Sequence, residues 1–448
     1  MLDYTLLISV FTGILVLLVL ILRFKIQAFI ALLIASIVVG VVSGMPPKEL
    51  ITTIQQGMGN TLGFVALVVG LGAMFGAILE HSGGAEALAT YFLSKFGEKR
   101  ASWALMLAGF FIAIPVFFDV AFIILVPLIY SLQRKTKKSL LLYAIPLLAG
   151  LAITHAFIPP TPGPVAVADI LKADLGWVIL FGFITGIPTA ILSGPLFAKY
   201  ISKRIHIDAP ELVDNSNQEK AYPAVGLIIT IIGIPILLIV ANTILNSPLI
   251  SEDFIGTNNK EWMAMLGNPF VALIIANLIA WYLLGIKRGV DKKELLKIST
   301  KAMAPAGMII LLTGAGGVFK QTLINTGTGD MLASYFSDVG ISLLFFGFFI
   351  AAIVRILQGS ATVAMITAAG ITAPLLITGT VTEIDKALLV IAIASGASIM
   401  SHVNDSGFWL VGNYLNLTEK ETFRSWTIMT TILALVGLLM VHVIALFV

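Results

Sequence analysis

The chain has 448 residues, of which 58% are hydrophobic and 11% charged, with a mean hydropathy of +1.02 and a formal net charge of +3. That composition excludes a water-soluble domain, where about a quarter of residues are charged, and the small net charge argues against a nucleic-acid partner. Cysteine is absent, which removes disulfides, thiolate metal sites and thiol chemistry.

The chain opens MLDYTLLISV, with no basic n-region and no small-residue cleavage site, and reads as a retained first span rather than a signal peptide. A span needs about 20 apolar residues. Stretches of that kind run over 4–22, 26–43, 61–79, 175–198, 224–245, 263–284 and 425–447. Arg23 and Lys25 after the first stretch mark the cytoplasmic side, so both termini are expected outside. Residues 102–132 lie between two basic clusters, KFGEKR (95–100) and QRKTKK (133–138), which puts both ends in the cytoplasm. IPVFFD (114–119) splits that stretch into arms of about 14 residues, roughly 21 Å each and too short to cross. A re-entrant helical hairpin is predicted. The polar segment 205–223 then reads as a cytoplasmic linker between halves 1–204 and 224–448.

The halves resemble each other. GAMFGAILEHSGGAEALATYF (72–92) aligns without gaps on GGVFKQTLINTGTGDMLASYF (316–336), GFFIA occurs at 109–113 and again at 347–351, and His155 falls opposite His402. The first-half loops are basic, whereas their counterparts near 337–340 and 380–386 are neutral or acidic. The second half is therefore expected upside down relative to the first. Inverted repeats of this kind characterise secondary transporters, whose site lies near the midplane where discontinuous helices meet. The expected fold is an all-α polytopic membrane protein, each repeat carrying scaffold helices, a re-entrant hairpin and a broken transmembrane helix.

Four polar interruptions fit this plan. Two read as hairpin tips, PVFFDV (115–120) and RILQGSAT (355–362), and two as breaks, THAFIPPTPGP (154–164) and SHVNDSGF (401–408). Four prolines within 159–164 cannot sit in one regular helix, and unwound backbone at membrane depth is tolerated only inside protein or along a watery cavity. Intramembrane charges are costly enough that function is the default reading for Asp119, Arg355 and Asp405. A structural Arg355–Asp lock is the plainer alternative. The candidate substrate contacts are His155, Thr161, Gly163, Arg355, Gln358, Ser360, Thr362, His402, Asn404 and Ser406, and the candidate proton carriers are Asp119 and Asp405. A lone histidine also serves interhelical hydrogen bonding, and Gly359, Ser360 and Thr362 also suit close helix packing. Helix N-termini at the breaks favour an anionic group, Arg355 adds a fixed charge, and the hydroxyl and amide side chains suit a polyhydroxylated carboxylate. No cofactor or metal is expected, since neither HExxH nor a cluster of ligand spacing occurs. A membrane-embedded hydrolase using Ser406 or Ser360 with His402 and Asp405 is the remote alternative.

LRFKIQAFIALL (22–33), GMGNTLGFVALVVGLGAMFG (57–76), FIPPTPGP (157–164), GGVFKQ (316–321), GSATVAMITAAGI (359–371) and SHVNDSGFWL (401–410) together closely resemble the gluconate permease family over nearly the whole chain. That resemblance implies a bacterial inner-membrane proton symporter for gluconate or a similar sugar acid, homodimeric and elevator-like. D-serine or another hydroxy acid, or sodium coupling, are the alternatives. Two positions depart from the family pattern. Thr161 stands where a His is often found between the prolines, and Asp119 where Glu is common.

Overall fold

Prolines and glycines mark several of the helix boundaries, among them Pro47, Gly83, Gly97, Pro162, Pro269 and Gly359. In the first half, Tyr4–Leu22 (α1), Ala28–Val42 (α2), Pro47–His81 (α3) and Gly84–Phe96 (α4) precede a helical pair, Ala101–Ile112 (α5) and Phe118–Thr136 (α6). Leu141–Phe157 (α7) and Pro162–Leu171 (α8) are followed by Leu175–Ile191 (α9), which continues through a π-helical turn into Phe197–Ile201 (α10). The second half contains Val225–Leu245 (α11), Thr257–Leu266 (α12), Pro269–Ala280 (α13), Lys292–Asn325 (α14), Leu343–Gln358 (α15) and Ala361–Thr372 (α16). It ends with Glu383–Gly396 (α17), Ser406–Tyr414 (α18), Glu419–Thr422 (α19) and Ile428–Ala445 (α20). This computed structural model describes residues 4–210, 222–246, 257–327, 342–376 and 381–448, and all of its regular elements are helices. Most of the expected linker 205–223, and 328–336 of the second repeat motif, lie outside the described residues. Among the described residues, seven helices are long and apolar enough to cross a membrane.

Two elements depart from expectation. The stretch 61–79 is only the end of α3, which has 35 residues because no proline interrupts it after Pro47. Its partner α14, 34 residues long, was not among the expected spans, since Lys297, Lys301, Pro305 and Lys320 dilute its apolar run. The two lie side by side in the most extensive helix contact among the described residues. Asn325 donates to Thr53 Oγ1 at 2.8 Å, Gly57 sits on Val318, Thr61 on Gly317 and Gly70 on Met303, so α3 and α14 run antiparallel.

The pair α5–α6 is a hairpin whose ends meet, since Glu98 before α5 forms an ion pair with Lys135 near the end of α6. A five-residue turn, 113–117, joins them. In both halves the hairpin packs on the broken helix through glycine. A Cβ on Gly150 of α7 would lie 2.2 Å from the Met106 carbonyl oxygen of α5, and one on Gly396 of α17 would lie 2.2 Å from the Phe348 carbonyl oxygen of α15. Small residues let the backbones touch where apolar burial gives no drive between helices in lipid. That close packing brings hairpin tips and helix breaks to a common level.

Candidate functional site

Each break ends in a helix N-terminus. α7 stops at Phe157 because Pro159 and Pro160 offer no amide donor, and α8 restarts with Pro162 at its first position, where the missing N–H is no loss. α17 stops at Gly396, and α18 restarts at Ser406 with Asp405 as cap, its Oδ1 accepting from the Gly407 amide at 3.1 Å. At the second hairpin tip Gly359 turns the chain at φ 92°, and Ser360 caps α16 by accepting from the Val363 amide at 3.3 Å. A Cβ on Gly359 would lie 2.2 Å from the Asn404 carbonyl oxygen, so the tip rests directly on the break.

A cavity of about 410 Å³ lies at this junction, within the range of about 300–1,000 Å³ usual for small-molecule sites. Four helix N-termini border it: α6 at Phe118 and Asp119, α8 at Gly163, α16 at Ala361 and Thr362, and α18 at Ser406 and Gly407. Each carries about half a positive charge at its end, which makes the cavity a place for an anion.

Arg355 lies within the wall, 5% exposed. Its guanidinium forms an ion pair with Asp405 Oδ2 and donates to the Gly359 carbonyl, while its Nε has no partner among the described residues. Asp405 Oδ2 also accepts from the Ser401 hydroxyl, which in turn accepts from Trp426 Nε1 at 2.6 Å. The Ser401 carbonyl accepts from Thr427 Oγ1 at 2.5 Å. The break is thereby tied to the π-helical turn Phe423–Thr427 ahead of α20. Asp119 lines the same cavity, as do His155, Gln358 and Asn404. His155 Nδ1 is buried without a partner among the described residues, and its ring lies 6.2 Å from that of Phe117. Counting His155 as neutral, Asp119, Asp405 and Arg355 leave the lining with one net negative charge.

Ten of the twelve residues singled out from the sequence line this cavity, and Thr161 and His402 do not. Thr161 is buried and its hydroxyl donates to the Ile158 carbonyl at 2.7 Å, closing the turn between α7 and α8. A ring nitrogen of His402 lies 2.8 Å from the Ile356 carbonyl oxygen, to which Asn404 also donates at 3.0 Å. With Asp405 held by Arg355 and His402 turned to backbone, no Ser–His–Asp relay forms around Ser406. Ser401, although it opens the predicted break 401–408, and Trp426 were not among the candidate site residues. Their spacing of 25 residues gives no local signal.

The sequence as a whole agrees with this architecture. The GntP family permease model matches residues 4–447. A "Gluconate permease" of Pseudomonas aeruginosa is 40% identical over 448 residues, covering 99% of this chain and 98% of that protein. An L-idonate transporter of Escherichia coli is 38% identical over 435 residues, covering 97% of each. Among solved structures, the YdaH transporter of Alcanivorax borkumensis, described as having an unusual topology, superposes with a TM-score of 0.64 over 90% of both chains at 13% identity, a likeness of fold alone. The chain is thus a multi-pass membrane permease, not an enzyme, and it belongs to the GntP permease family.

Proposed function

We propose that this permease carries gluconate or a closely related sugar acid in symport with protons. The observation that carries the reading is the convergence of four helix N-termini and Arg355 on one cavity rimmed by hydroxyl and amide side chains. A carboxylate suits the amides and the guanidinium, and a chain of hydroxyl groups suits Ser360, Thr362, Asn404 and Ser406. Both relatives are named for six-carbon polyhydroxy acids, gluconate and L-idonate. Charge supports proton coupling. With both carboxylates ionised the lining carries one net negative charge, and a bound carboxylate doubles it, so neutralising Asp119 or Asp405 favours substrate binding.

Further expectations belong to the same proposal. Halves 1–204 and 224–448 are inverted repeats joined by a cytoplasmic linker, which the antiparallel run of α3 and α14 supports. The protein works as a homodimer in the bacterial inner membrane with both termini outside. Uptake of labelled gluconate into proteoliposomes, with and without an inward proton gradient, tests the function. Accumulation above equilibrium only with the gradient, competed by L-idonate and not by D-serine, is the expected result. No accumulation, or a requirement for sodium, refutes it.

A further inference from the structure

A second cavity, of about 680 Å³, adjoins the first. Lys25 and Gln27 of the turn between α1 and α2 line it, with Met308 of α14 and Leu357 at the end of α15. Lys25, Gln27, Met308 and Leu357 are all exposed, so the cavity reaches the protein surface. Gln358, Ser360, Thr362 and Asn404 line both cavities and so form a shared partition. The structure is lopsided in this respect. The cavity by Gly72, Pro115, Pro160 and Thr161, beside the first hairpin tip and the first break, holds only about 10 Å³. There α3 presses so closely that a Cβ on Gly76 would lie 2.0 Å from the Pro115 carbonyl oxygen.

Lys25 is the single formal charge lining the larger cavity among the described residues. Its left-handed conformation, φ 55°, does not mark it out, since Lys137 and Lys172 share that conformation at helix ends, where a cation complements the helix dipole. Position does mark it out. A cation at the mouth of a low-dielectric passage concentrates field lines and raises the local concentration of anions.

We propose that this cavity is the vestibule through which a small carboxylate passes between the central site and the membrane face on which the α1–α2 turn lies, with Lys25 as the cation that gathers it. The inference rests on the reading of the substrate as an anion. The hairpin tip 358–362 is then the partition on this side, and the contact of α3 with Pro115 and Pro160 is the seal on the other.

The chain has no cysteine, so one introduced thiol reports alone. Thr362→Cys, lining both cavities, and Leu357→Cys, lining the vestibule only, are reacted with membrane-impermeant anionic and cationic thiosulfonates in sealed vesicles. The expected result is labelling of both from the face that labels Lys25→Cys. At low salt the anionic-to-cationic rate ratio falls several-fold when Lys25→Glu is added, and the difference shrinks at high salt. Lys25→Gly removes the charge while keeping a residue at ease with the positive φ, and gives an intermediate ratio. A ratio unmoved by Lys25→Glu at both reporters overturns the proposal. So does a Leu357→Cys that stays unlabelled while Lys25→Cys reacts, since lipid would then fill the groove. If Thr362→Cys misfolds, Leu357→Cys carries the same ratio. These readouts need no substrate, so absent gluconate uptake with a shifted ratio rejects the substrate reading and leaves the vestibule standing.

Discussion

Replacing Asp405 by Asn removes one charge from a buried pair while disturbing little else. Asn has nearly the same volume and is as good a helix cap as Asp, so the bond from the Gly407 amide to the α18 cap remains available. What is lost is the counter-ion of Arg355, in a pair whose side chains are only 6% and 12% exposed. Breaking a buried pair by removing one partner costs about 3–5 kcal/mol, because the other charge stays behind without compensation. The exposed pair Glu98–Lys135, 53% and 69% exposed, sets the internal reference, since such pairs contribute about 0.2–1 kcal/mol. Thermal unfolding of the purified protein in one detergent should show Asp405→Asn lowering the midpoint several times more than Glu98→Gln does. The double variant Arg355→Met with Asp405→Leu should lose less than either single change, because no charge is stranded. Gluconate should also raise the midpoint of Asp405→Asn more than that of the parent, since a substrate carboxylate can then occupy the vacated place on Arg355. A midpoint for Asp405→Asn equal to that of Glu98→Gln would refute the argument that this pair holds the tip and the break together.

Asp119→Asn should abolish gradient-driven accumulation in proteoliposomes while gluconate exchange continues; undiminished accumulation would remove Asp119 from the coupling. Thr161→Ala should lose about 1 kcal/mol with its bond to Ile158 and leave the KM for uptake within a factor of about two, because Thr161 lies outside the cavity. A tenfold change in KM would place it in the substrate path. Gly150→Ala and Gly396→Ala should each cost about 1–3 kcal/mol through overpacking, read as similar drops in unfolding midpoint, and a drop in only one would break the equivalence of the two hairpin contacts.

Much of this molecule was legible in the chain itself. Apolar length defined α1, α2, α11 and α20 to within a few residues or a turn, and four prolines in 159–164 forced the gap between α7 and α8. Basic clusters on either side of 102–132 foretold the hairpin that the Glu98–Lys135 pair closes. These features are local: in lipid the backbone must satisfy its own hydrogen bonds, so helix follows from apolar length and interruption from proline, wherever the segment packs. Pairing is not local. That Arg355 meets Asp405, 50 positions on, that His402 turns to the Ile356 carbonyl instead of the cavity, and that Lys25 lines one cavity with the second hairpin tip were decided by tertiary packing. Helices in lipid are positioned by backbone contacts at Gly150, Gly396 and Gly359, where a difference of one methyl group decides how closely two segments approach. Polar side chains then take whichever partners that approach brings within reach.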